Sequence, residues 1–142
     1  MLKVGVLGAG HLGKIHLRLL QQSEKFELVG FYDENLENGQ KVANEFGYTQ
    51  FQTIASLIHA VDVIDIVTPT LSHYKCAKVS IKSGKHVFIE KPVTETLEEA
   101  RALMELAREA NVKVQVGHVE RFNPAFQAAI PYFKKTMFIE TH

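Results

Sequence analysis

Short apolar runs alternate with stretches of helical periodicity along the whole chain, and this alternation restricts the fold more than any other feature. The first run, Leu2–Leu7, stops at Gly8. Leu12, Ile15, Leu19 and Leu20 follow at the spacing of one helix face. The second run, Phe26–Tyr32, ends at Asp33, and Leu36, Val42, Ala43 and Phe46 then mark another helix. Gly47 stops that helix as a residue that takes positive φ at little cost. A short strand is expected at 50–52, and Thr53 caps a brief helix carrying Ile54, Leu57 and Ile58. Strands at 61–67, 87–89 and 112–116 are separated by helices with Tyr74, Ala77 and Ile81, and with Leu97, Ala100, Leu103, Met104 and Ala107. Thr96 and Glu99 form a capping-box pair at the start of the latter. Asn123 and Pro124 open a last helix that Phe126, Ala129, Ile130 and Phe133 continue, and a strand is expected at 137–142.

About six β–α repeats with strands rich in Val and Ile predict an α/β fold: a doubly wound, mainly parallel sheet covered by helices on both faces. The length of 142 residues suits one such domain. Residues 1–120 are expected to form it, with 121–142 the linking helix and first strand of a second α/β domain that is cut short.

The glycines at the first strand–helix junction give the fold a chemistry. Gly8-Ala9-Gly10-His11-Leu12-Gly13 fits G-x-G-x-x-G, between a strand and a helix as a dinucleotide-binding Rossmann loop requires. Gly8 allows the tight turn, Gly10 lets backbone approach a pyrophosphate, and Gly13 lets helix pack on strand. The helix N-terminus offers free N–H groups and the positive end of its dipole. Asp33, twenty residues beyond Gly13, is placed to accept hydrogen bonds from the adenosine ribose. Unit charges 4 Å apart interact by about 4 kcal/mol at an effective dielectric near 20. With screening, Asp33 is expected to favour NAD over NADP by roughly one or two decades, and neither Glu34 nor Asn35 offers a cation to the extra phosphate of NADP.

Ligands in open α/β sheets sit outside the carboxyl ends of the strands. Those ends carry Thr68-Pro69-Thr70 with His73 beyond, Glu90-Lys91-Pro92, and Gly117-His118-Val-Glu120-Arg121-Phe-Asn123-Pro124. With the glycine loop upstream, this ordered set resembles the Gfo/Idh/MocA oxidoreductases over the whole chain. The stretch 118–124 is most similar to the family's nucleotide-sugar dehydrogenases. The resemblance implies an NAD(P)-dependent dehydrogenase acting on a secondary alcohol of a sugar, nucleotide sugar or cyclitol. It implies that Lys91 is catalytic, beside nicotinamide and substrate, where an ammonium orients a hydroxyl and stabilises alkoxide charge. By the same resemblance Thr68, Pro69 and His73 flank the dinucleotide, and Arg121 reaches a phosphate or an acid. Glu90 is expected to hold Lys91 or contact the cofactor, His118 to line the site, and Ala9, His11 and Leu12 to lie along the pyrophosphate.

The family's second domain supplies the substrate pocket, much of the oligomer interface and a histidine general acid–base. The chain is therefore expected to be a cofactor-binding fragment with little or no turnover alone, and a homo-oligomer at full length. A stand-alone NAD(H) sensor without catalysis is the rival reading, against which Lys91 argues.

Sixteen basic and sixteen acidic residues leave no net field to gather nucleic acid or anionic membrane. A single cysteine, Cys76, excludes an intrachain disulfide and fits a reducing cytoplasm. The seven histidines form no metal-ligand motif, so no metal is expected. His16 reads as an ordinary helix residue, and Asp65, interrupting an apolar strand, as a hydrogen-bonded strand group.

Overall fold

The computed structural model describes residues 1–133. Five strands, β1 (Leu2–Leu7), β2 (Phe26–Tyr32), β3 (Val63–Ile66), β4 (His86–Ile89) and β5 (Val114–Val116), pair in parallel in the order β2-β1-β3-β4-β5. The helices are α1 (His11–Gln21), α2 (Leu36–Phe46), α3 (Ile54–Ala60), α4 (Thr70–Lys82), α5 (Leu97–Glu109) and α6 (Pro124–Ala129). The chain moves from β1 outward to β2, then returns to place β3 on the other side of β1. That reversal creates a crevice above β1 and β3, the position where doubly wound sheets bind ligands.

Alternation along β1 explains how both faces are filled. Val6 joins Ala9, Leu17, Phe31 and Val42 in a core under α1 and α2. Its neighbour Leu7 points the other way and joins Leu57, Ile64, Ile66, Ala77, Ile81, Val87, Ile89 and Leu103, under α3, α4 and α5. Each fully buried Leu, Ile or Phe side chain contributes about 1.5–3 kcal/mol. α3 lies so close to β1 that a Cβ on Gly5 would sit 2.6 Å from Leu57 Cδ1.

The helix ends follow their expected chemistry. Thr53 Oγ1 accepts the Ser56 N–H at 3.1 Å. Thr96 Oγ1 accepts the Glu99 N–H at 3.2 Å, and Glu99 Oε2 accepts the Thr96 N–H at 3.4 Å. Gly47 ends α2 at φ 74°.

Several expected bounds change, among them the strand expected at 61–67, which spans Val63–Ile66. The strand expected at 50–52 is a single parallel bridge from Gln50 to Phe31. The last full strand begins at Val114 rather than at 112. The helix after Asn123 stops at Ala129 and tightens into a 3-10 turn over Ile130–Tyr132. Pro131 accounts for the last difference: it has no N–H to donate and its ring crowds the carbonyl four residues back. The strand expected at 137–142 lies outside the described residues. Among the described residues, no helix is long and apolar enough to cross a membrane.

Candidate functional site

Strand register assembles the site. Leu7 pairs with Tyr32 and Ile66, Ile66 with Ile89, and Ile89 with Val116. The next residue of each strand, Asp33, Gly8, Val67, Glu90 and Gly117 in sheet order, therefore lies along one edge. From β2 to β4 is three inter-strand steps, about 14 Å.

Above β1 a groove of about 860 Å³ is lined by Gly8, Gly10, His11, Leu12, Asp33, Thr68 and Pro69, together with Glu34, Asn35, Asn38, Val67 and Ser72. The glycines serve it in different ways. Gly8 holds φ +97°, and a Cβ there would lie 2.7 Å from the Val67 carbonyl oxygen. A Cβ on Gly13 would collide with the Gly8 carbonyl, so α1 can start close to β1 only with glycine there. Gly10 faces open space, with no protein atom within 4 Å of a Cβ. It is also the N-cap of α1, whose first turn has neither a side-chain cap nor an acidic residue. The first N–H groups of this helix are thus left for a ligand.

Asp33 is held before any ligand arrives. Its Oδ2 accepts the Ala9 N–H at 2.7 Å and the Asn38 side-chain amide at 3.2 Å, and its Oδ1 accepts the Asn35 N–H at 2.9 Å. Asn38 also donates to the Ala9 carbonyl at 3.3 Å, tying the first turn of α2 to the glycine loop. Sequence reasoning missed Asn38 and treated Asn35 only as lacking a cation. Asn35 was legible as an N-cap, since its Oδ1 accepts the Asn38 N–H at 3.0 Å. The tertiary role of Asn38 has no local sequence signal.

On the other wall, the Thr68 hydroxyl is buried and has no hydrogen-bond partner among the described residues. Ala9, Gly13, His73 and Glu90 do not line this groove. Ala9 and Gly13 are buried and act through backbone and close packing. His73 is only 2 % exposed, with Nε2 2.8 Å from the Thr68 carbonyl and Nδ1 2.8 Å from the Pro92 carbonyl. It clips two strand-end loops together from below. Glu90 is 6 % exposed and turned inward, its Oε2 accepting the Lys91 N–H at 3.1 Å. Gly117 makes room for it, since a Cβ there would lie 2.6 Å from Glu90 Oε1.

Lys91, His118 and Arg121 do come together. With Gly117, Val119, Glu120 and Phe126 they line a second cavity of about 300 Å³ at the ends of β4 and β5.

Beneath this edge lies a cluster that the sequence did not reveal as a unit. His16 on α1 places Nδ1 2.8 Å from Asp65 Oδ2 and Nε2 3.4 Å from Glu90 Oε1. Burial alone would lower the His16 pKa, but the Asp65 hydrogen bond and the charges of Asp65 and Glu90 raise it above the usual 6.5. Burial pushes the Asp65 carboxyl up, and His16 pulls it only part of the way back. Burial likewise pushes the Cys76 thiol up, which leaves it a poor nucleophile. No group of three or more potential metal ligands occurs among the described residues.

The groove fits a dinucleotide: an uncapped helix N-terminus, a side-chain-free approach at Gly10 and a fixed carboxylate at the end of β2. The sequence profile of the Gfo/Idh/MocA family, described as an oxidoreductase family with an NAD-binding Rossmann fold, matches residues 2–118. UDP-N-acetylglucosamine 3-dehydrogenase from Acidithiobacillus ferrooxidans is 39 % identical over 126 residues, covering 89 % of this chain and 40 % of that protein. A solved structure of that enzyme superposes with a TM-score of 0.86 over 93 % of this chain and 43 % of its own, at 37 % identity. Glucose-6-phosphate 3-dehydrogenase from Bacillus subtilis is 32 % identical, over 86 % of this chain and 35 % of that protein. Biliverdin reductase from Synechocystis, solved with biliverdin and NADP+, superposes with a TM-score of 0.83 at 28 % identity, over 92 % of this chain and 42 % of its own. The chain spans about two fifths of the length of these relatives. It belongs to the Gfo/Idh/MocA oxidoreductase family, and residues 2–118 are the NAD-binding Rossmann domain of that family.

Proposed function

We propose that this chain binds NAD in preference to NADP and is the cofactor half of a dehydrogenase that oxidises a secondary alcohol of a sugar, nucleotide sugar or cyclitol. The fixed Asp33 carboxylate at the end of β2 is the observation that carries the cofactor preference. Three donors hold it, and among the described residues no lysine or arginine lines the groove it faces. A ribose with two free hydroxyls can donate to such a carboxylate, whereas a 2′-phosphate is repelled by it. Gly8, Gly10, His11 and Leu12 surround the pyrophosphate in this reading, and Thr68 and Pro69 form the opposite wall.

The sheet gives the reading a direction. With ribose at β2 and pyrophosphate at β1, the reactive end runs toward β3 and β4, where Lys91 lines the second cavity beside His118 and Arg121. When bound, NAD supplies an acceptor for the hydride leaving the alcohol carbon. The Lys91 ammonium orients the hydroxyl and stabilises negative charge as its proton departs. Arg121 and His118 offer donors to a polar or anionic part of the substrate. The names of the relatives support a sugar-type substrate. The general acid–base, most of the pocket and the oligomer interface belong to a further domain in this reading.

Calorimetric titration with NAD and NADP, on the wild type and on Asp33→Ala, tests the preference. NAD is expected to bind roughly ten- to a hundredfold more tightly than NADP, and Asp33→Ala is expected to narrow that gap. Equal affinity in the wild type would overturn the role given to Asp33.

A further inference from the structure

We propose that His16 is a positioning residue for Lys91: its imidazole ties the Glu90 carboxylate to Asp65, and Glu90 in turn fixes the backbone of the lysine turn. The inference rests on the reading of Lys91 as the group at the substrate, and adds what determines its place.

Asp65 on β3 and Glu90 after β4 are 4 % and 6 % exposed. Two buried carboxylates this close to one ring are costly unless a cation and hydrogen bonds stand between them. His16 occupies that position, with one ring nitrogen toward each. Only the imidazolium has an N–H on both nitrogens, so only the protonated ring presents an N–H and a positive charge to both acids at once. Asp65 Oδ1 has no partner among the described residues, so this carboxylate depends on His16. The cavity beside His16 is lined by uncharged residues apart from Asp65, among them Val4 from β1, Phe88 from β4, Gln115 from β5 and Val119 from the following turn. Among the described residues, the charged groups acting on the ring are Asp65 from β3 and Glu90 from the end of β4.

The far oxygen of Glu90 completes the series by accepting the Lys91 N–H. Lys91 itself is exposed, so its side chain is free while its backbone is held. When His16 loses its proton, one carboxylate loses its donor and the Glu90 contact, at 3.4 Å the longer of the two, is the one released.

Nuclear magnetic resonance of the 142-residue chain without cofactor tests this. The His16 ring and the Lys91 backbone amide are followed together through pH. His16 is expected to titrate above 6.5, and the Lys91 amide to shift with the same midpoint. In His16→Gln the Lys91 transition is lost. In Glu90→Gln His16 still titrates but Lys91 no longer follows, and in Asp65→Asn His16 titrates at lower pH than in the wild type. A His16 midpoint at or below 6.5, or a Lys91 amide that stays flat through the His16 transition, would overturn the proposal. The wild-type titration decides this even where a variant fails to fold. Because nothing in the readout requires NAD or turnover, failure here and failure of the cofactor reading are separate results.

Discussion

Gly10→Ala separates binding from folding at a single methyl group. Gly10 has φ −68° and ψ −164°, extended backbone that alanine adopts without strain. Its added Cβ would meet no protein atom within 4 Å. Two opposed effects on stability remain. Alanine restricts the unfolded chain, which stabilises by about 0.4–1 kcal/mol. Alanine is also a poorer N-cap than glycine, a loss of similar size. The net change is expected within about 1 kcal/mol, or roughly 4 °C in Tm for a domain of this length. Binding behaves differently, because the methyl projects into the groove where phosphate must approach the α1 N–H groups. A hydrogen bond to a charged group contributes about 1.5–3 kcal/mol. Loss of one such bond raises the Kd for NAD roughly ten- to 150-fold. Differential scanning calorimetry and isothermal titration on the same preparation read both quantities. Wild-type affinity in Gly10→Ala would refute the passage of phosphate over this loop. A Tm drop of 10 °C or more would refute the claim that the space in front of Gly10 is open.

Gly13→Ala is the complementary case, since its Cβ would collide with the Gly8 carbonyl. Backbone cannot swing aside as a side chain does, so a loss of about 1–3 kcal/mol is expected, measured by urea denaturation; an unchanged midpoint would show that α1 can move away from β1 freely. Stability is also expected to fall as pH rises above 6.5, because His16 binds its proton more tightly in the folded state. Its contribution is complete below the unfolded value and is lost as pH climbs through the raised folded one. Asp65 acts in the same direction: its folded pKa is raised, so ionisation penalises the fold from about pH 4 upward. Denaturation midpoints of wild type and His16→Gln at pH 6 and pH 9 test the sign, and an equal decline in both proteins would assign the effect to other groups.

How far the sequence could be read depended on how local each determinant is. The β–α alternation, the glycine loop and the capping box at Thr96 are written in nearby residues, and all of them appear in the structure. Asp33 was legible because a strand end and a fixed spacing from Gly13 define it. The stub at Gln50 and the early stop of α6 were harder, since apolar spacing says little about where pairing begins or where Pro131 takes effect. Asn38 could not be found as a groove residue: its contact with Ala9 spans 29 positions, and nothing near it in sequence announces a partner. The same holds for His16, Asp65 and Glu90. Periodicity places one on a helix, one on a strand and one just past a strand end, while sheet order alone decides that they meet.

Two buried residues, His73 and Glu90, explain how the turn that carries Lys91 is held. His73 was expected to flank the dinucleotide and Glu90 to hold Lys91 or contact the cofactor; both are buried beneath the edge. His73 comes from α4, which packs on one face of the sheet, and reaches the Pro92 carbonyl. His16 comes from α1, on the opposite face, and reaches Glu90. Lys91 is the residue between those two anchors: Glu90 before it is buried, while Lys91 itself is exposed. A lysine carries several rotatable bonds, and its entropy opposes any defined role near a reacting atom. Fixing its backbone from both faces of the sheet removes the part of that freedom the fold can remove, leaving the side chain to be ordered by what binds in front of it.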